Sequence, residues 1–188
     1  MDFLSEAKQQ ALIEIEKYGS PPLILFELAN KKAEELGKKL GADMEVLMAG
    51  MYLMDLKLGE ALKAGKLKEH TAWSAKAAET ILDQHGIKGE KRDKIMNCIL
   101  AHHKAIPFSC KEAELCVNAD CYKFLHPRGF FAFLVELGER STPFDKALEY
   151  AEQKLDEKIE HVSMKECKEE LEPYYKELKK MISDSRIA

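Results

Sequence analysis

Between Asp43 and Leu62 the chain reads DMEVLMAGMYLMDLKLGEAL, and its apolar residues leave almost no polar face at a period of about 3.6 residues. Val46, Leu47, Met48, Met51, Tyr52, Leu53, Met54, Leu56 and Leu58 carry this pattern, which predicts a central helix enclosed on most sides by other helices. Asp55 lies in the middle of it. Removing an unpaired carboxylate from water costs far more than the burial of one helix returns, so Asp55 requires a cation. Lys57 and Lys63 stand two and eight residues away, whereas facing side chains on a helix are about three or four apart. The partner is therefore a bound metal or a basic residue of another helix.

Composition narrows the setting. The chain has 188 residues, 46% of them hydrophobic, enough for one domain with a full core. A formal net charge of -4, with Lys and Arg dispersed among Asp and Glu, argues against a nucleic-acid surface. The most apolar window is interrupted by Asp55 and Lys57, and no charged leader precedes an apolar run, so neither a membrane partner nor export is expected. The expected location is cytoplasmic. Five irregularly spaced cysteines fit reduced thiols better than a disulfide framework.

Apolar periodicity and cap signals predict helices along the rest of the chain. The first runs from Phe3 to Lys17, and the second starts at Ser20-Pro21 and stops at Gly41, after which Asp43 caps the central helix. Others are expected from about His70 to His85 and from about Glu90 to Ala105, closed by Pro107, with His102 and His103 in the last turn. Ser109 and Glu112 form a capping-box pattern for a helix that reaches Phe124 and carries Asp120 on the face of Cys116 and Phe124. A short helix from about Phe130 to Glu139 follows. Two long amphipathic helices, Phe144 to Glu160 and Met164 to Ile182, complete the chain, the second opened by Ser163 and Glu166 and kinked or divided at Pro173. No strand or repeat is found, so the class is all-α. Leu148, Ala151 and Leu155 on one long helix and Leu171, Tyr174, Leu178 and Met181 on the other form apolar stripes. These either cover the core or pair with a second copy in a homodimer.

Asp55, His70, His102, His103 and Asp120, spread over four expected helices, are the candidates for chemistry. Imidazole and carboxylate suit first-row divalent metals, and bundles build metal sites from such residues on facing helices. Taken singly, each histidine reads first as a partly exposed helix-end residue. Adjacent residues on a helix point about 100° apart, so His102 and His103 reach one site only where their helix ends. A rival zinc reading uses Cys98 and His102 with Cys110 and Cys116, but lacks the short paired spacing of zinc sites.

The run from about Leu25 to Leu125 resembles the HD superfamily of metal-dependent phosphohydrolases. Leu53-Met54-Asp55 lies where that family has Leu-His-Asp, His70 matches its following histidine, His102-His103 its double histidine, and Asn118-Ala119-Asp120 its final aspartate segment. Leu25 and Met54 stand where the first histidine and the dyad histidine belong, and neither is a ligand for a hard metal. The resemblance implies an HD-like helical bundle over about 20–140, with accessory helices at about 143–185, in a single domain spanning 1–188. It implies one divalent transition metal (Fe, Mn, Zn or Ni) on Asp55, His70, His102 and His103, with the other metal position lost. The implied activity is hydrolysis of a nucleotide or other small phosphoester. Asp55 and Asp120 would be catalytic, with Asp120 or the second histidine taking a proton, and Lys57, Lys104 and Arg128 would receive phosphate charge. The alternatives are a catalytically degenerate binding or regulatory module, and a purely structural bundle in which Asp55 pairs with an amine.

Overall fold

The structure, a computed structural model, describes residues 2–186. Residues 1, 187 and 188 of the expected domain lie outside them. Among the described residues the chain forms ten α-helices, one 3-10 turn and no strand, as the all-α expectation requires. The helices are α1 (Phe3–Tyr18), α2 (Leu23–Leu40), α3 (Met44–Leu53), α4 (Leu58–Lys63) and α5 (His70–Gln84). They continue with α6 (Gly89–Ala101), α7 (Lys111–Leu125), α8 (Pro127–Glu139), α9 (Phe144–His161) and α10 (Lys165–Asp184). The 3-10 turn, Leu67–Glu69, leads directly into α5. Among the described residues no helix is long and apolar enough to cross a membrane.

Local chemistry sets several of the helix ends. The Asp43 carboxylate accepts from the amides of Glu45 and Val46, capping α3 as expected. Pro127 occupies the first turn of α8, where its missing N–H is harmless, and His126 Nδ1 accepts from the Arg128 amide. The two capping boxes do not form. Glu112 instead accepts from the Asp43 amide at 2.9 Å, and α7 starts at Lys111. Ser163 donates its hydroxyl to Glu114, while Asn118 of α7 accepts from the amides of Ser163 and Met164 and so fixes the α9–α10 connection. In both cases a partner distant in the chain outcompetes the local one. Likewise α2 starts at Leu23, and Ser20 donates its hydroxyl to Glu136 of α8. Helix α10 runs through Pro173 without being divided.

The central helix of the sequence pattern is two helices. α3 ends at Leu53, residues 54–57 form a turn, and α4 begins at Leu58. Within the turn the Leu56 amide donates to Leu53 O and the Leu58 amide to Asp55 O, bonds one residue shorter than those of an α-helix. Asp55 therefore sits at a bend between helices, not in mid-helix. Nor is its segment the most enclosed: 12 of the 15 residues of α7 are buried, against 7 of the 10 in α3. Helix α7 is the axis, touching α2, α3, α6, α8, α9 and α10.

Close approaches place the site. A Cβ at Gly50 would lie 2.4 Å from Cys98 Cβ, so glycine lets α3 and α6 meet at van der Waals distance. At Gly59 a Cβ would lie 2.6 Å from Ser20 O, so α4 presses on the α1–α2 connection. The C-terminal helices bury Leu148, Ala151, Leu155, Leu171 and Leu178 within the chain, with Tyr174 partly covered. Met181, expected in the same stripe, is 51% exposed.

Candidate metal centre and adjoining cavity

Three histidines converge from two chain segments. His70 opens α5, and its Nδ1 donates to Leu67 O of the 3-10 turn at 2.7 Å. His102 follows the last residue of α6, and its Nδ1 donates to Ile99 O at 2.6 Å. Helix α6 ends at Ala101, well before Pro107, because the chain turns back through Lys104 at a φ of 55 with its amide bonded to Ala101 O. That early ending resolves the geometry of neighbouring histidines. Off the helix, the rings of His102 and His103 lie 4.0 Å apart between centroids and face one site.

A carbonyl oxygen can only accept, so the hydrogen bonds to Leu67 O and Ile99 O place a proton on Nδ1 of His70 and of His102. In the neutral rings Nε2 is then a lone pair. Yet the two Nε2 atoms approach to 3.4 Å, and His103 Nε2 comes within 3.1 Å of His70 Nε2. Asp55 Oδ1 adds a fourth acceptor, 3.5 Å from Nε2 of both His70 and His102. Acceptors facing acceptors repel unless a cation lies between them. Metal–nitrogen bonds of about 2.0–2.1 Å would put neighbouring ligands roughly 3.0–3.4 Å apart, the range of the two nitrogen–nitrogen separations. The backbone-bonded Nδ1 is also the usual support of a metal-ligating imidazole.

Among the described residues, His70, His102 and His103 are the group of His, Cys, Asp and Glu side chains whose ligand atoms all lie within 4.8 Å of one another, and this cluster can hold a metal ion. Asp55 lies outside that closest trio and borders it through His70 and His102. No such group forms among Cys98, Cys110 and Cys116, which are free thiols, so the rival zinc set is not assembled.

The other oxygen of Asp55 faces a different environment. Lys123 Nζ lies 2.6 Å from Asp55 Oδ2 and 2.8 Å from Asp120 Oδ1, and Lys158 Nζ lies 2.7 Å from Asp120 Oδ2. Asp120, Lys123 and Lys158 are all buried. Burial would raise the Asp55 carboxyl, but the Lys123 ammonium and the adjoining imidazoles of His102 and His70 outweigh it and hold the pKa well below the usual range. Asp120 is likewise depressed, burial being overcome by Lys123 and Lys158. Burial works against the Lys123 ammonium, yet Asp120 and Asp55 hold its pKa above the ordinary lysine value. Among the imidazoles, burial followed by the charges of His102 and Lys158 depresses His103 to about 2, so that ring stays neutral. His70 goes the other way: burial lowers it, but the neighbouring Asp55 carboxylate favours its protonated form and the pKa rises.

Beside the histidines opens a cavity of about 140 Å³. His70, His103, Asp55, Asp120, Lys123 and Lys158 reach its wall, while His102 stands behind them. Leu25 also lines it and Met54 is buried, so both are packing residues here. Lys57, Lys104 and Arg128, expected to receive phosphate, are not among the lining residues. Lys57 pairs with Glu14 and Glu60, Lys104 donates to Glu160 O, and Arg128 is exposed at the start of α8. The basic groups on the wall are Lys123, Lys158, Lys154 and Arg140, the last paired with Glu136, whose own carboxyl is raised by burial.

Sequence reasoning missed all four, although two left a signal. Lys123 follows Asp120 by three residues, the spacing of facing side chains on a helix. Lys158 continues the spacing of Leu148, Ala151 and Leu155, which places an ammonium on a core stripe. No protein-family model, curated protein or solved structure matches the chain.

Proposed function

We propose that the chain is an HD-type phosphohydrolase that holds one divalent transition metal (Fe, Mn, Zn or Ni) at Asp55, His70, His102 and His103 and acts on a nucleotide or other small phosphoester. The observation that carries this reading is the meeting of fixed-tautomer imidazole lone pairs with a carboxylate oxygen, a set of acceptors that lacks only a cation. Imidazole and carboxylate together select a first-row divalent ion. Such an ion supplies a Lewis acid for a phosphoryl oxygen and acidifies water at neutral pH.

The chain's own residues then divide the work. Asp55 serves two cations, presenting Oδ1 to the histidines and Oδ2 to Lys123. Lys123 in turn ties Asp55 to Asp120 and keeps both carboxylates ionised and in place. Asp120, with an ammonium on each oxygen, is too weakly basic to accept a proton readily, so its part is to position Lys123 and Lys158. Four basic groups on the wall, Lys123, Lys154, Lys158 and Arg140, face three acidic ones, Asp55, Asp120 and Glu136. Before any metal binds, this leaves an excess of one positive charge, diminished where Lys154 also pairs with Glu157. An anion is the ligand such a wall favours.

The saturation of Asp120 also favours a second reading, a binding or regulatory module that keeps metal and phosphate without turnover. Both readings are tested on protein purified without chelator. The expected metal content is near one per chain, falling by most of its value in His70→Ala and staying unchanged in Cys98→Ser. Phosphate release that needs the metal supports the enzyme, and metal with phosphate binding but no release supports the module. Full-length protein with no metal, its Asp55 charge met by Lys123 and a proton on His70, would be the structural bundle.

A further inference from the structure

We infer that the phosphoester taken by this cavity carries a compact apolar group, as in an alkyl or aryl phosphate, and is not a nucleotide. This rests on the phosphohydrolase reading and concerns what lies beyond the phosphate.

The wall around the charged floor is hydrocarbon: Leu25, Leu58, Leu62, Leu67, Phe124 and Phe133. Phe124 and Phe133 stand edge to face with centroids 5.1 Å apart, which fixes both rings and gives the pocket a rigid aromatic side. Recognition of a base and a ribose needs donors and acceptors free to meet their edges and hydroxyls. None of the residues lining the cavity is Asn, Gln, Thr or Tyr. The hydroxyl of Ser20 is already committed, donating to Glu136 and accepting from Arg140 at 3.1 Å each. Glu136 and Arg140 are in turn paired with one another. Lys123 and Lys158 are held by the two aspartates. A nucleobase placed here would exchange its hydrogen bonds to water for contact with leucine and phenylalanine, an unfavourable exchange for polar groups.

Size points the same way. A water needs about 10–15 Å³ of such space, so a cavity of about 140 Å³ has room for roughly ten waters. A phosphate group takes up several of those places. What remains accommodates a short alkyl chain or a single ring.

The test uses the full-length, metal-loaded protein with two readouts. Phosphate release is measured from methyl, propyl, butyl and phenyl phosphate and from AMP and dAMP. Calorimetry measures binding of the matching alkyl and phenyl phosphonates, with AMP as competitor. The expected result is a rise in kcat/KM and in phosphonate affinity of roughly threefold to fourfold per added methylene up to butyl, with AMP and dAMP at least tenfold below butyl phosphate. Phe133→Ala should flatten that dependence, and Leu62→Trp, which fills the cavity, should abolish binding of the butyl compound while retaining the metal. Equal or better use of AMP, or no dependence on chain length in either readout, overturns the inference and leaves the phosphohydrolase reading standing. If no phosphoester is cleaved and no phosphonate binds, both are overturned.

Discussion

Asp55 separates two regions of opposite electrostatic character. On the side of Oδ2, Lys123 and Lys158 alternate with the carboxylates of Asp55 and Asp120 at 2.6–2.8 Å, and each buried charge has its partner. On the side of Oδ1, the imidazoles of His70 and His102 and one carboxylate oxygen present acceptors to one another, with His103 beside them. The lysine side is electrically complete as folded, and the histidine side can hold a cation. The difference teaches that acidic and basic residues in a core do not by themselves mark a metal site. What marks one is a set of acceptors left over after every protein cation has been assigned.

The most severe way to break the lysine side is to end the chain at Ser141. This removes Lys158 and strips from α7 and α8 the helices that bury Leu148, Ala151 and Leu155. The expected outcome is loss of cooperative unfolding in circular dichroism and aggregation on size-exclusion chromatography. A folded monomer derived from a dimeric full chain would instead assign these helices to association, and a soluble shortened chain of unchanged oligomeric state would point to docking of another partner.

Lys123→Met leaves Asp55 Oδ2 and Asp120 Oδ1 without their ammonium in a buried setting. Breaking a buried pair from one side costs about 3–5 kcal/mol, to be read from urea unfolding at neutral pH. A change below about 1 kcal/mol would show that the array contributes little to stability.

Acid sharpens the same contrast in chelator-treated protein. The folded-state pKa of Asp120 is depressed, so its contribution to stability is fully present above its ordinary value of 3.8 and is lost as pH falls through the lower folded value. The difference in urea midpoint between the wild type and Asp120→Asn should therefore hold steady near neutrality and shrink once pH falls below about 4. Equal slopes would remove Asp120 from the account.

Smallest of all should be Arg128→Ala and Lys104→Ala, exposed residues away from the cavity wall. Stability should stay within about 0.5 kcal/mol and phosphonate affinity within twofold. A tenfold loss of affinity in either would return these residues to the site.

Much of the histidine side was legible in the chain. Imidazole and carboxylate are distinctive ligand types, and periodicity located α5 and the start of α6, although α6 ends at Ala101, four residues before the expected Ala105. The lysine side was hidden for a physical reason. Charged residues on long amphipathic helices are ordinarily solvated, and Lys158 is buried only because α9 lies along α7, a contact across 38 residues that periodicity does not encode. The turn at residues 54–57 was hidden too, since an apolar run keeps its helical appearance when the backbone tightens by one residue.

By itself the sequence determined the all-α class, the helices that cover most of the chain, and the requirement that Asp55 meet a cation, because burial patterns and the cost of an unpaired charge are properties of local composition. Whether that cation is a metal or an amine was beyond it. The tertiary structure gave Oδ2 to Lys123 and turned Oδ1 toward the imidazoles, because which side chains a buried oxygen meets depends on how helices distant in the chain pack against α7.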